Sequence, residues 1–199
     1  MVWSRKSFRA SWSLAAVALL VAVGGCSSSD DSPAGPSSEP AVVSVQAAYP
    51  GDKQGARALM AELAAHGDPA LVASLRPTTA DYQALFEPAF AERAQRFYEK
   101  GLWASMPPTA APFAKPDQTE VRVWGATTEE LRAWGKDAQA NFPGGYEEIK
   151  DQLRPGLTIY SIDMVVPGEE HGMAYNGLTY VNGHWAFFPK PWRVLESEK

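Results

Sequence analysis

The 199-residue chain has one cysteine and three histidines. A single cysteine excludes an intrachain disulfide and a zinc site built on several thiolates. His66 is expected at a helix end. His171 and His184 are expected at opposite ends of one hairpin, about 33 Å apart, so they cannot ligate one metal inside that hairpin. No HExxH, CxxC, GxSxG or P-loop pattern occurs. No cofactor and no metal are expected from these residues. Positive charge is also scarce: 18 Lys and Arg stand against 23 Asp and Glu, a net charge of −5. That balance argues against nucleic acid, whose binding needs a basic surface to displace counterions. The longest uninterrupted apolar run is Leu14 to Val23. As a helix it would span about 15 Å, half the hydrocarbon core of a bilayer, which is too short for a permanent transmembrane segment. Aromatic mass, in contrast, is plentiful, with seven Trp, seven Tyr and eight Phe.

The apolar run has a purpose other than spanning. Arg5, Lys6 and Arg9 precede it, and the small residues Gly24 and Gly25 follow, which is the three-part layout of a secretory signal. The unique cysteine, Cys26, stands directly after the glycines. Val23-Gly24-Gly25-Cys26 resembles the lipobox of bacterial lipoproteins. The resemblance implies cleavage after residue 25, a diacylglyceryl thioether on Cys26 and acylation of the new N-terminus. Several acyl chains anchor stably where one binds only marginally. Ser27 follows the cysteine. In Gram-negative lipoproteins an aspartate there resembles an inner-membrane retention signal, so its absence favours the outer membrane if the organism has one. Residues 26–40 then read as the lipidated cysteine and a disordered Ser/Pro/acidic tether. Loss of residues 1–25 removes three positive charges. The acidic domain left behind would be repelled by anionic headgroups and held off the membrane.

Residues 41–199 read as one α+β domain. Ala41 to Val45 reads as a first strand or a packed arm. Asp52 caps a helix to about Ala65 that Gly67 stops, and Asp68-Pro69 opens a short helix through Leu75. Thr78 or Thr79 caps a third helix from about Ala80 to Lys100, kinked or split at Pro88 and closed by Gly101. A Pro-rich connection covers residues 106–117. Residues 120–124 alternate as a strand, Thr127 or Thr128 starts a helix to about Ala140, and residues 146–153 form a short helix. Three strands follow, at about 157–166, 172–181 and 184–188, the last two joined by Asn182-Gly183. Counting back from that turn puts Leu178, Tyr180, Trp185 and Phe187 on one face, the core face, and Thr179, His184 and Ala186 on the other. In Phe188-Pro-Lys-Pro-Trp192 the prolines break the last strand, with Trp192 folded back onto the core or displayed to a partner.

Helices followed by an antiparallel meander is an α+β order. Tyr180-Val-Asn-Gly-His-Trp185 and the region from Leu71 through Asp81-Tyr82 to Phe86 resemble nuclear-transport-factor-2-like (cystatin-like) domains over about residues 50–195. The resemblance implies N-terminal helices packed on a curved antiparallel sheet, a cone-shaped roll. It carries over no functional residue. Two functions follow as expectations. One is a non-catalytic binding or scaffolding module in the envelope, its pocket lined by Tyr160, Tyr180 and Trp185, taking a small apolar or aromatic ligand or an envelope protein. The other is a small hydrolase or isomerase-like enzyme, because polyketide-cyclase-like members of this fold use an Asp–His pair. The candidates here are Asp163, between Ile162 and Met164 in a strand, and His171 beyond the Pro167-Gly168 turn. Asp163 is expected opposite Met173, with His171 a diagonal neighbour. The binding module is the favoured reading, and no catalytic set is assigned.

Overall fold

A computed structural model describes residues 49–105 and 113–197. The signal peptide, Cys26, the tether, the Ala41–Val45 segment and residues 106–112 of the Pro-rich connection lie outside the described residues. No helix among those described is long and apolar enough to cross a membrane.

Short-range signals set the N-terminal helices. Helix α1 (Lys53–His66) begins where Asp52 Oδ1 accepts from the backbone N–H of Gln54 and Gly55, each at 2.9 Å. It ends at Gly67, whose φ of 58° only glycine adopts without strain. Ala56, Leu59, Met60 and Leu63 are buried, and this stripe lies on the sheet described below. Asp68 caps α2 (Pro69–Ser74), with Pro69 in the first turn. Thr78 caps α3 (Thr79–Leu85) through a reciprocal capping box with Asp81. The expected long third helix is split rather than kinked. Phe86 and Glu87 are extended, the latter because it precedes Pro88, and α4 (Pro88–Tyr98) starts afresh. Gly101 does not close it. A π-helical turn (Glu99–Trp103) runs through that glycine, and helical backbone continues to Ser105. A wider turn re-aims the side chains that follow, and here Trp103 is buried.

The chain is α+β, with a four-stranded antiparallel sheet in the order β1-β2-β3-β4. The strands are β1 (Glu120–Thr127), β2 (Thr158–Val165), β3 (Gly172–Val181) and β4 (His184–Phe187). Between β1 and β2 come α5 (Thr128–Ala133), α6 (Lys136–Asn141) and α7 (Gly145–Ile149), with a 3-10 turn at Lys150–Gln152. The expected single helix to Ala140 is therefore two. Trp134 takes a left-handed conformation (φ 47°) while its ring is buried, and this ends α5. A short helix α8 (Arg193–Glu196) closes the described chain.

The Asn182-Gly183 hairpin has the expected register, Tyr180 opposite Trp185 and Leu178 opposite Phe187. Both loop residues have positive φ, as a two-residue turn of this kind needs. One step further, β3 holds an extra residue. Tyr160 pairs with Leu178 but Ser161 with Asn176, leaving Gly177 as a bulge. Its φ is 96°, and a Cβ there would lie 2.0 Å from the Phe188 carbonyl oxygen.

Both faces of the β3–β4 end are covered. Trp185 Nε1 donates to the Tyr49 carbonyl at 3.0 Å, and Gly51 sits against the Tyr180 ring. The residues leading into α1 therefore cover that face. Thr179 and Ala186, on the opposite face, are as fully buried as the core side. Helix α3 lies there, and Phe188 beyond β4 joins Tyr82, Phe86 and Tyr98 in edge-to-face contacts at 5.3, 5.7 and 6.4 Å. Trp192 folds back onto Tyr146 at 5.4 Å, so the Pro-Lys-Pro segment ends the strand and returns the chain to the core.

Candidate functional site

The two expected catalytic residues lie at the open end of the β2–β3 hairpin. Asp163 pairs with Ala174, not Met173, and stands opposite Arg122 on β1. The six-residue loop 166–171 moves the pairing one residue on from the expected Met173. Asp163 is half-buried and His171 exposed, and no hydrogen bond joins them. Burial raises the Asp163 carboxyl above the usual range, while Arg122 and then His171 pull it down. The two residues interact through space without forming a bonded acid–base pair. His66 ends α1 beside Glu62, and no group of three or more His, Cys, Asp or Glu suited to a metal ion occurs among the described residues.

A bonded Asp–His pair occurs elsewhere, where the sequence was read only as a helix cap and a turn. Asp81, in the first turn of α3, is 0% exposed. Its Oδ2 accepts from the Thr78 backbone N–H at 2.6 Å and the Thr78 hydroxyl at 2.8 Å. Oδ2 also meets His184 Nε2 at 2.8 Å, and Asn182 Nδ2 donates to Oδ1 at 2.7 Å. Burial pushes this carboxyl up, but the Thr78, Asn182 and His184 donors outweigh it and hold the group below the usual carboxylate range. The cover is shallow, since Asn182 is exposed and His184 half-buried. Chemically the cluster is a joint. It fastens the start of α3 to the β3–β4 turn and fixes the imidazole by one nitrogen.

The expected pocket residues pack against one another. Trp185 meets Tyr160 at 5.6 Å and Tyr180 at 5.3 Å, both edge-on, beneath residues 49–51. The apolar cleft lies further along the sheet. It encloses about 300 Å³ between α2, the π-helical turn, β3 and the segment after β4. Leu75, Trp103, Phe113, Tyr175 and Phe187 form much of its wall. Phe113 packs on Tyr175 at 5.1 Å and accepts the Tyr175 hydroxyl on its carbonyl at 2.5 Å. Burial raises the Tyr175 phenol above its ordinary value. Asn176 and Lys190 are also in the lining. The Asp81–His184 pair does not line this cleft.

Trp103 also marks a polar gap behind the wall. Its indole N–H lies beside the Tyr82 hydroxyl, yet neither completes a well-formed hydrogen bond. No protein-family model matches the chain, and the curated proteins and solved structures give no match either.

Proposed function

We propose that this chain is an exported, lipid-anchored envelope protein whose α+β domain is a non-catalytic binding module. The observation that carries the reading is the apolar cleft of about 300 Å³, at the lower end of the 300–1,000 Å³ typical of small-ligand sites. Aromatic walls and few polar groups suit a small apolar or aromatic ligand. The anchoring half of the proposal rests on Cys26 and the signal-like residues before it. If the organism has an outer membrane, Ser27 after the cysteine favours that membrane.

The enzyme reading has less support. Asp163 and His171 are not bonded, and the Asp81 carboxylate is already occupied by donors from within the fold. Native mass spectrometry of the protein extracted from its own host membranes tests both halves. The expected spectrum carries a covalent diacylglyceryl and acyl mass that Cys26→Ser abolishes, and a separate mass that leaves on denaturation. An unmodified chain with the signal intact would overturn the anchor. A protein that is always empty, with or without added apolar compounds, would overturn the binding module.

A further inference from the structure

Lys190 is the odd residue of the cleft. It stands between two prolines and holds φ at 51°, a region that a residue with a side chain rarely adopts. Three contacts keep this segment in place. The Tyr98 hydroxyl donates to the Pro189 carbonyl at 2.9 Å, the Lys190 N–H donates to Asn176 Oδ1 at 3.3 Å, and the Arg193 N–H donates to the Lys190 carbonyl at 3.0 Å. Strain of this kind persists only where the surroundings over-determine it. Asn176 is 5% exposed. Its Oδ1 is occupied by the Lys190 N–H, whereas its Nδ2 has no bonded partner among the described residues and is not sealed from solvent. Among the described residues the Lys190 ammonium makes no ion pair and no acidic side chain lines the cleft. Among the described residues, an apolar space is therefore bordered by a lysine without an ion pair and by an unbonded amide donor, with no acidic side chain in its lining.

We infer that the cleft binds a small aromatic carboxylate, its ring between Trp103, Tyr175 and Phe187 and its carboxylate toward Lys190 and Asn176 Nδ2. This rests on the binding-module reading and narrows it to a ligand class. Aromatic rings pack edge-to-face on walls of this composition. A carboxylate is the acceptor that complements an ammonium and an amide N–H together. The Pro-Lys-Pro segment then has a role beyond ending β4, since its left-handed lysine is held at the rim of the cleft.

The test is calorimetric titration of the full 199-residue chain, synthesised cell-free so that no acyl chain is attached. The probes are 2-naphthoate, 2-naphthamide of the same shape without charge, and decanoate with charge but no ring. The expected order is naphthoate tightest, about tenfold over naphthamide, the size of one charge-assisted hydrogen bond. In Lys190→Met the two naphthyl probes should bind alike, while Lys190→Arg keeps the preference. Thermal unfolding of each variant confirms that the fold is retained. Equal binding of naphthoate and naphthamide to the native chain overturns the carboxylate and leaves the binding module standing. Decanoate binding tighter than naphthoate overturns the aromatic class. A preference that survives Lys190→Met overturns the role of Lys190. Failure of all three probes overturns the inference and counts against the binding module as well.

Discussion

Asp81 and Asn176 are both buried polar side chains that hold a turn, and they differ in what is left over. Asp81 ties α3 to the β3–β4 hairpin, with both carboxylate oxygens engaged by Thr78, Asn182 and His184. Asn176 ties β3 to the Pro-Lys-Pro segment with one end of its amide and leaves the other end unbonded in the cleft. A buried polar group with all its partners inside the fold acts in stability. A buried group with an unused donor beside an apolar space is available for binding.

The largest effect should come from the joint. Asp81→Ala removes the acceptor for four hydrogen bonds and leaves His184 and Asn182 without their partner. The expected loss is about 3 kcal/mol, read as a drop in the urea midpoint at unchanged slope. A loss below about 1 kcal/mol would mean that the joint is idle and that the comparison with Asn176 fails. Gly177→Ala comes next, at about 2 kcal/mol or more, because it forces a side chain into positive φ and against the Phe188 carbonyl. An unchanged midpoint there would show that the bulge yields freely.

Acid should act on the same joint. The Asp81 carboxyl is held below its unfolded value of about 3.9, so its contribution is fully present above that pH. The contribution is lost as pH falls through the lower, folded value. Urea midpoints measured from pH 7 down to 3 should fall below about pH 4. Asp81→Asn should flatten that part of the profile, and an identical acid limb in the variant would place the sensitivity in other carboxylates. Asn176→Ala should cost less than Asp81→Ala, about 1 kcal/mol, since it removes one 3.3 Å hydrogen bond from the Lys190 N–H. Its distinguishing sign is a weakened preference for 2-naphthoate over 2-naphthamide, which Asp81→Asn should leave in place.

What was legible in the sequence follows the range of the forces involved. Asp52, Asp68-Pro69, Thr78, Gly67 and Asn182-Gly183 each act within a few residues, and each marks a boundary near where it was expected. The split at Pro88 was legible as an alternative to a kink. The end of α5 was not, because it falls at Trp134, a buried aromatic residue that adopts positive φ without being a glycine or asparagine. Parity paired Tyr180 with Trp185 and Leu178 with Phe187 across the hairpin, but parity says nothing about the space left between rings, and Tyr160 meets Trp185 at 5.6 Å. The open space adjoins Tyr175, Phe187 and Trp103, brought together from three separate segments. The Asp81–His184 contact spans 103 residues, beyond the reach of any local pattern. The nearest sequence signal was a helix cap with an acid at its third position, and its ordinary meaning is only local.

Asp163 is the smallest prediction and the counterpart to Asp81. Both are strand- or helix-borne aspartates beneath partial cover, but the balance at Asp163 runs the other way. Among the described residues no bonded donor offsets its burial and Arg122 and His171 act only through space, so its carboxyl sits above the unfolded value of about 3.9. The folded chain therefore holds that proton more tightly than the unfolded one does. The Asp163 contribution is most favourable below the unfolded value and is lost as pH rises through the higher, folded value. Asp163→Asn should be neutral or stabilising at pH 7 by no more than about 0.5 kcal/mol, because the half-exposed group is partly screened. A loss of about 1 kcal/mol or more would show that the charged carboxylate is in productive contact with Arg122, and the contrast between the two aspartates would then be one of degree. Read beside the acid limb of Asp81→Asn, the two profiles should have opposite slopes in the acid range. That opposition follows from the number of donors facing each carboxylate, not from how deeply either one is buried.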